Sequence, residues 1–207
     1  MAPKNKYTKD EMIAAAVNVV RKKGIGGLTA KTMAEELGTS TQPVFTYFSS
    51  MDELKGEVRV SAERIYSEYA LKGLGEKVPF FGFGVQYIKF AKEEPELYRL
   101  IFLTPTPDGK NGALEAMRHS CGEVSGWLER IYNISREQAE RYFRDMWLVV
   151  HSIATLSVTG GCPYSDDEIG KILTGFSVSL CMAIKEIDGF ESGNFDRDEV
   201  FRKLING

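Results

Sequence analysis

LTAKTMAEELGTSTQPVFTYFSSMDEL, residues 28–54, reads as two short helices joined by a tight turn. Thr29 has the side chain to cap the first helix, Met33, Ala34 and Leu37 give it one apolar face, and Gly38 supplies the left-handed residue that stops it. Ser40 is placed to cap the second. Pro43 falls in its first turn, where a missing N–H removes no intrahelical bond. Two short helices around a glycine-containing turn form a helix-turn-helix, whose second helix is the one able to enter a DNA major groove.

On that second helix Val44, Phe45 and Phe48 are expected to anchor inward, leaving Thr41, Gln42 and Thr46 outside. Glutamine pairs bidentately with adenine and threonine brings a hydroxyl and a methyl group, so these short side chains suit base edges. By position, Thr41 and Gln42 are expected at the bases with Pro43 and Thr46 beside them, and Ser40, Tyr47 and Lys55 at phosphates. Thr29 and Lys31, opening the first helix, are candidates for the flanking strand. A polar surface turn in an ordinary helical bundle shares the same pattern.

Residues 1–60 resemble the N-terminal DNA-binding domain of the TetR (tetracycline-repressor-like) transcriptional regulators. The resemblance runs through Gly27, Leu28, Thr29, Met33, Ala34, Leu37, Gly38, Ser40, Val44, Phe45, Tyr47, Phe48 and Leu54, covering three helices in order. It implies a homodimeric repressor with double-stranded operator DNA and a small-molecule effector as partners. Two departures bear on phosphate contacts, because the family usually has Tyr where this chain has Phe45 and Lys where it has Met51. The resemblance then implies a grip that leans on Tyr47, Ser50 and Lys55. Further along, FAKEEPELYRLIFL (residues 90–103) and Trp147 to His151 are similar to the C-terminal domains of a subgroup with a Trp then His-Gly signature, Ser152 here replacing the Gly.

At 207 residues, 43% hydrophobic and 27% charged, the chain is long enough to bury a substantial core and is composed as globular domains are. No apolar run reaches the ~18 residues of a membrane span, and the basic start lacks a signal peptide's apolar segment, so a cytoplasmic protein without membrane contact is expected. A net charge of −3 argues against a nucleic-acid partner until its distribution is read. Residues 1–60 carry nine Lys or Arg against seven acids, a net of +2, and the remainder is at −5. Cys121, Cys162 and Cys181 are odd in number and outside metal-ligand spacing, which points to reduced thiols.

Outward from the helix-turn-helix, Lys4 and Lys6 lie in an N-terminal arm, and Thr8 with Glu11 forms a capping box for a helix burying Met12, Ile13, Ala16, Val17 and Val20. Ser50 and Glu53 open a long helix to about Lys72, with Leu54, Val58, Ala62, Ile65 and Tyr69 in one stripe, the mechanical link to everything beyond it. Pro79 and Pro95 each begin a helix. Gly82 and Gly84 inside the first of these signal either a close helix approach or room for a ligand. After the loop at 104–112, a helix with Leu114, Met117, Cys121, Val124, Leu128 and Ile131 follows. Then come one apolar nearly all round from Tyr142 to Val158, one opening at Ser165 and ending at Gly189, and a last one over about Asp196–Leu204.

Catalytic, metal and cofactor chemistry is not expected. The chain has two His, no phosphate-binding glycine loop, no Gly-x-Ser-x-Gly elbow and no Cys-x-x-Cys pair. Aromatic residues crowd the C-terminal helices, which suits an apolar cavity with a few polar tips, and Tyr87, Phe90, Tyr98, Phe102, Trp127, Trp147 and His151 are the candidate ligand contacts. The expected protein is all-α, with a helix-turn-helix DNA-binding domain at 1–50 and an effector-binding and dimerisation domain at 51–207. It is a homodimeric repressor released by a small apolar or amphipathic ligand. A constitutive DNA-binding or protein-recruiting helical protein without an inducer is the alternative.

Overall fold

The computed structural model describes residues 7–76, 78–106 and 108–206, and no strand occurs among them. The arm carrying Lys4 and Lys6 lies outside the described residues. The chain divides into two compact units, one made of Met1–Ala116 with Ile153–Cys162 and the other of Met117–Ser152 with Pro163–Gly207.

The first unit begins with α1 (Lys9–Lys23), opened by the Thr8–Glu11 capping box and closed at Gly24, whose φ of 68° suits only glycine. A single 3-10 turn, Ile25–Gly27, leads to α2 (Ala30–Leu37), capped reciprocally by Thr29 and Thr32 and stopped by left-handed Gly38. Next come α3 (Val44–Tyr47) and α4 (Met51–Leu74). Met12, Val20, Leu28, Met33, Val44, Phe48, Leu54 and Val58 are almost fully buried and form the small core these helices share. Burying a side chain of this kind contributes about 1.5–3 kcal/mol, so α4 is part of the same folding unit as the three helices before it. On α1, Ile13 is only half-buried, and Ala15 and Val19 are buried as well as the expected Met12, Ala16, Val17 and Val20.

Three local readings differ from the sequence expectation. Ser40 caps nothing, because the chain enters α3 through a tight turn in which Val44, Phe45 and Thr46 donate to the carbonyls of Thr41, Gln42 and Pro43, each three residues back. That tighter winding shifts the phase of the helix. Phe45 consequently faces outward, 51% exposed, rather than anchoring the core. At the start of α4 the Ser50 hydroxyl accepts the Glu53 N–H, but the Glu53 carboxylate takes the N–H and hydroxyl of Ser49, which holds its pKa below the ordinary value.

The far half of α4 crosses α5 (Pro79–Glu93) at two facing glycines. A Cβ on Gly73 would lie 2.5 Å from the Gly82 carbonyl oxygen, and one on Gly82 2.3 Å from that of Gly73. Gly82 is therefore there for close approach, which settles that part of the sequence question. Next, α6 (Pro95–Tyr98) runs on as a π-helical turn, Arg99–Leu103, a change of winding that the apolar pattern does not encode. Arg59 of α4 reaches the end of this turn: its buried guanidinium donates to the carbonyls of Ile101, Thr104 and Pro105 at 3.5, 3.2 and 2.9 Å. Arg21 of α1 meets Glu94 through two hydrogen bonds of 2.8 and 2.6 Å.

The start of α7 (Gly112–Tyr132) and the end of α8 (Arg136–Val158) belong to this first unit too, where the Arg99 guanidinium donates to the Val158 carbonyl at 2.6 Å. The second unit holds the rest of those helices, α9 (Asp166–Glu186) and α10 (Arg197–Asn206). Ser135–Gln138 and Ser165–Glu168 provide the expected capping boxes. Helices α8 and α9 are joined by a 2.6 Å hydrogen bond between the Tyr142 and Ser177 hydroxyls and by the Gln138 amide donating to the Ile184 carbonyl. Leu148 of α8 and Phe176, Val178 and Met182 of α9 are exposed. The three cysteines are free and half-buried. Among the described residues no helix is long and apolar enough to cross a membrane, and no His, Cys, Asp and Glu cluster has a metal-binding arrangement.

Candidate nucleic-acid interface

Helix α3 is only four residues long, and its direction is set from outside. Val44 and Phe48 plug into the core, while the Tyr47 hydroxyl donates to the Tyr7 carbonyl and the Tyr7 hydroxyl in turn donates to the Leu37 carbonyl at 2.6 Å. This chain of bonds ties α3, the start of α1 and the end of α2 into one block. Tyr47 thus has its hydroxyl turned to the protein, a bracing role that the sequence reading did not foresee. Ser40, Thr41, Gln42 and Thr46 are all exposed, and Pro43 is half-buried beneath them.

The charges around this surface are largely spent inside the protein. Lys9 pairs with Glu57 at 2.6 Å, Lys22 with Glu36 at 2.7 Å, Lys23 with Glu35 at 3.3 Å and Lys55 with Asp52 at 3.1 Å. Arg21 and Arg59 are engaged as described. Lys31, exposed in the first turn of α2, is the basic side chain of residues 7–60 that has no such partner. The Thr29 hydroxyl is likewise occupied, accepting the Thr32 N–H at 3.1 Å. Surface ion pairs of this kind hold weakly in water, so Lys9 and Lys55 can exchange their partners for a phosphate, but Lys31 has nothing to give up.

The candidate ligand contacts fall into separate groups. In the first unit Tyr87, Phe90, Tyr98 and Phe102 form one ring cluster, completed by Tyr66 of α4, with centroids 4.9–5.9 Å apart. Tyr66 was missed because it sits one position off the apolar stripe of α4. Burial pushes the Tyr87 and Tyr98 phenols above the ordinary tyrosine range, and the Tyr98 hydroxyl lies 2.9 Å from that of Thr155. Gln86, also missed, is buried on α5, and its carboxamide oxygen has no donor among the described residues. In the second unit Trp147 and His151 stack with centroids 4.5 Å apart, and burial lowers the His151 pKa. Trp127 is 47% exposed, with the Arg130 guanidinium 5.9 Å above its ring.

Comparison with known families and folds agrees with this arrangement. Residues 12–58 match the model for bacterial regulatory proteins of the tetR family, and residues 80–174 match the tetracyclin repressor-like C-terminal domain. No curated protein matches the sequence significantly. Among solved structures, a TetR-like transcriptional regulator from Rhodococcus sp. RHA1 superposes with a TM-score of 0.60 at 13% identity, over 84% of this chain and 93% of its own. A TetR family member from Streptomyces coelicolor A3 gives 0.56 at 20% identity over 81% and 96%. A TetR variant from Acinetobacter baumannii AYE, in complex with minocycline, gives 0.52 at 19% identity over 87% and 97%. At such identities the likeness is one of fold.

Proposed function

The chain belongs to the TetR family of transcriptional regulators, and from that premise we propose that it is a homodimeric repressor released from its operator by a small apolar or amphipathic molecule. It is a DNA-binding protein of the cytoplasm rather than an enzyme. In this reading residues 1–50 read DNA and residues 51–207 dimerise and bind the effector. The observation that carries it is the exposed set Thr41, Gln42 and Thr46 on α3 and the turn leading into it, held in place by Val44 and Phe48 in the core. Thr29, Lys31, Ser40, Pro43, Tyr47 and Lys55 surround that set and serve phosphate contact and support.

The effector half of the proposal is supported by the minocycline complex of the Acinetobacter relative and by the buried ring cluster of Tyr87, Phe90, Tyr98 and Phe102. Trp127, Trp147 and His151, in the second unit, are a separate set of proposed contacts. Release follows if the ligand prefers one placement of α4, which Arg59 ties to the π-helical turn and whose first turn shares the core of the helix-turn-helix. The shift in DNA binding is bounded by the ligand's differential affinity for the two states.

Selection of bound fragments from random duplex DNA tests the first half, returning the operator and its half-site spacing together. A thermal-stabilisation screen of small molecules tests the second, since an effector raises the melting temperature as RT ln(1 + [L]/Kd) grows. Stabilising compounds that leave operator affinity unchanged would turn the reading toward a constitutive DNA-binding protein.

A further inference from the structure

Among the described residues of the helix-turn-helix, Phe45 is the large apolar side chain left outside, 51% exposed between Val44 and Phe48, which are at 0% and 1%. It follows Gln42 by three positions, and its N–H donates to the Gln42 carbonyl at 3.1 Å, closing a 3-10-type turn in which residues three apart lie on one side. The core of this small domain closes without the ring. A benzyl group has no hydroxyl to offer a phosphate and gains only by leaving water against another apolar surface. In the major groove the apolar feature of a base pair is the C5-methyl group of thymine, which phenylalanine is suited to cover.

We propose that Phe45 reads the 5-methyl group of a thymine in each half-site, next to the base pair read by Gln42. The assignment rests on the operator-binding reading above and adds a specificity element to it: hydrogen bonding by Gln42, apolar contact by Phe45, on one side of the turn that leads into α3. It also gives a use to a side chain whose exposure otherwise only costs solubility. The methyl group is the sole difference between thymine and uracil, so the contact is testable without disturbing base pairing or groove shape.

The experiment takes the duplex recovered by selection and replaces each thymine singly by deoxyuridine. For the full-length protein, one position per half-site should lose about fourfold in affinity, the worth of one buried methyl-sized group. Phe45→Leu should keep that preference, because its side chain still covers the methyl group. Phe45→Ala should bind the thymine and uracil duplexes equally, with a melting temperature close to that of the native protein because the ring is outside the core. Equal affinity for thymine and uracil at every position, or a preference that survives Phe45→Ala, overturns the assignment while leaving operator binding in place. Recovery of no sequence-selective duplex would overturn operator recognition itself, and this contact with it.

Discussion

Lys31 shows how little of the favourable charge at this end of the chain is available to a ligand. The sequence carries nine basic residues in its first 60, yet of those described all but Lys31 have an acidic or carbonyl partner within the protein. Base reading and phosphate holding should therefore separate cleanly by substitution. Gln42→Ala is expected to cost about 1–3 kcal/mol on the cognate operator and to relax preference at one base pair. Lys31→Ala should weaken all duplexes alike and lower the salt slope by about 0.9. Lys55→Ala, already paired with Asp52, should change the slope less. Binding titrations at several salt concentrations decide it, and a change of base preference on Lys31→Ala would reverse the proposed docking.

His151 makes a second residue-scale prediction. Its ring lies on Trp147 and burial depresses its pKa, so on acidification the unfolded chain takes up a proton near pH 6.5 before the folded protein does. Between those two pKa values protonation favours unfolding, so stability falls with pH across that window and His151→Gln should remove this part of the loss. Melting curves at pH 7.5 and 5.5 test the sign: a variant as acid-sensitive as the native protein would contradict it. Two residues that sequence reasoning misplaced fail for a common reason. Ser40 as a cap and Phe45 as a core anchor both fail at a turn wound tighter than an α-helix, and residue type alone does not encode that winding.

At the scale of the element, helix boundaries were the most legible feature, because caps act locally. Thr8, Thr29, Ser135 and Ser165 each bond the backbone three residues ahead, an arrangement visible as a spacing. The π-helical turn after Tyr98 and the Arg59 contact with it were not legible, since both arise from distant segments meeting. Glycines divide the same way. Gly56 lies within α4 with nothing near the position of an added Cβ, whereas on Gly82 that atom would meet the Gly73 carbonyl. Gly56→Ala should thus stabilise by about 0.8–1.0 kcal/mol through helix propensity alone. Gly82→Ala should destabilise by about 1–3 kcal/mol, because two backbones must move apart. Denaturant midpoints for the two variants should shift in opposite directions, and a shared direction would mean that the glycine crossing does not hold α4 against α5.

For the molecule as a whole the prediction concerns assembly, and the sequence already contained its main clue in the all-round apolarity of α8. In the second unit α8 and α9 cover one another in part, through Tyr142 and Ser177, yet Leu148, Phe176, Val178 and Met182 stay exposed, the last two at 53% and 52%. Such a set on two joined helices, with Gly175 and Ser179 leaving room for close approach, fits an isologous contact with a second copy. A stable contact of this type buries about 1,200–2,000 Å² in total, and removing charge-free apolar area at its centre is the most economical way to break it. Val178→Glu with Met182→Glu should then convert a dimer into a monomer in sedimentation at micromolar concentration. Both positions are already in solvent in the isolated chain, so helix content should be retained. The functional consequence follows from geometry: two recognition helices must be held about 34–36 Å apart to meet successive major grooves. A monomer should keep the proposed Gln42 contact to one half-site and lose the second, so operator affinity should fall to that of a single half-site while the preference at each base pair survives. Full affinity from a protein that sediments as a monomer would mean that the two half-sites are not read together.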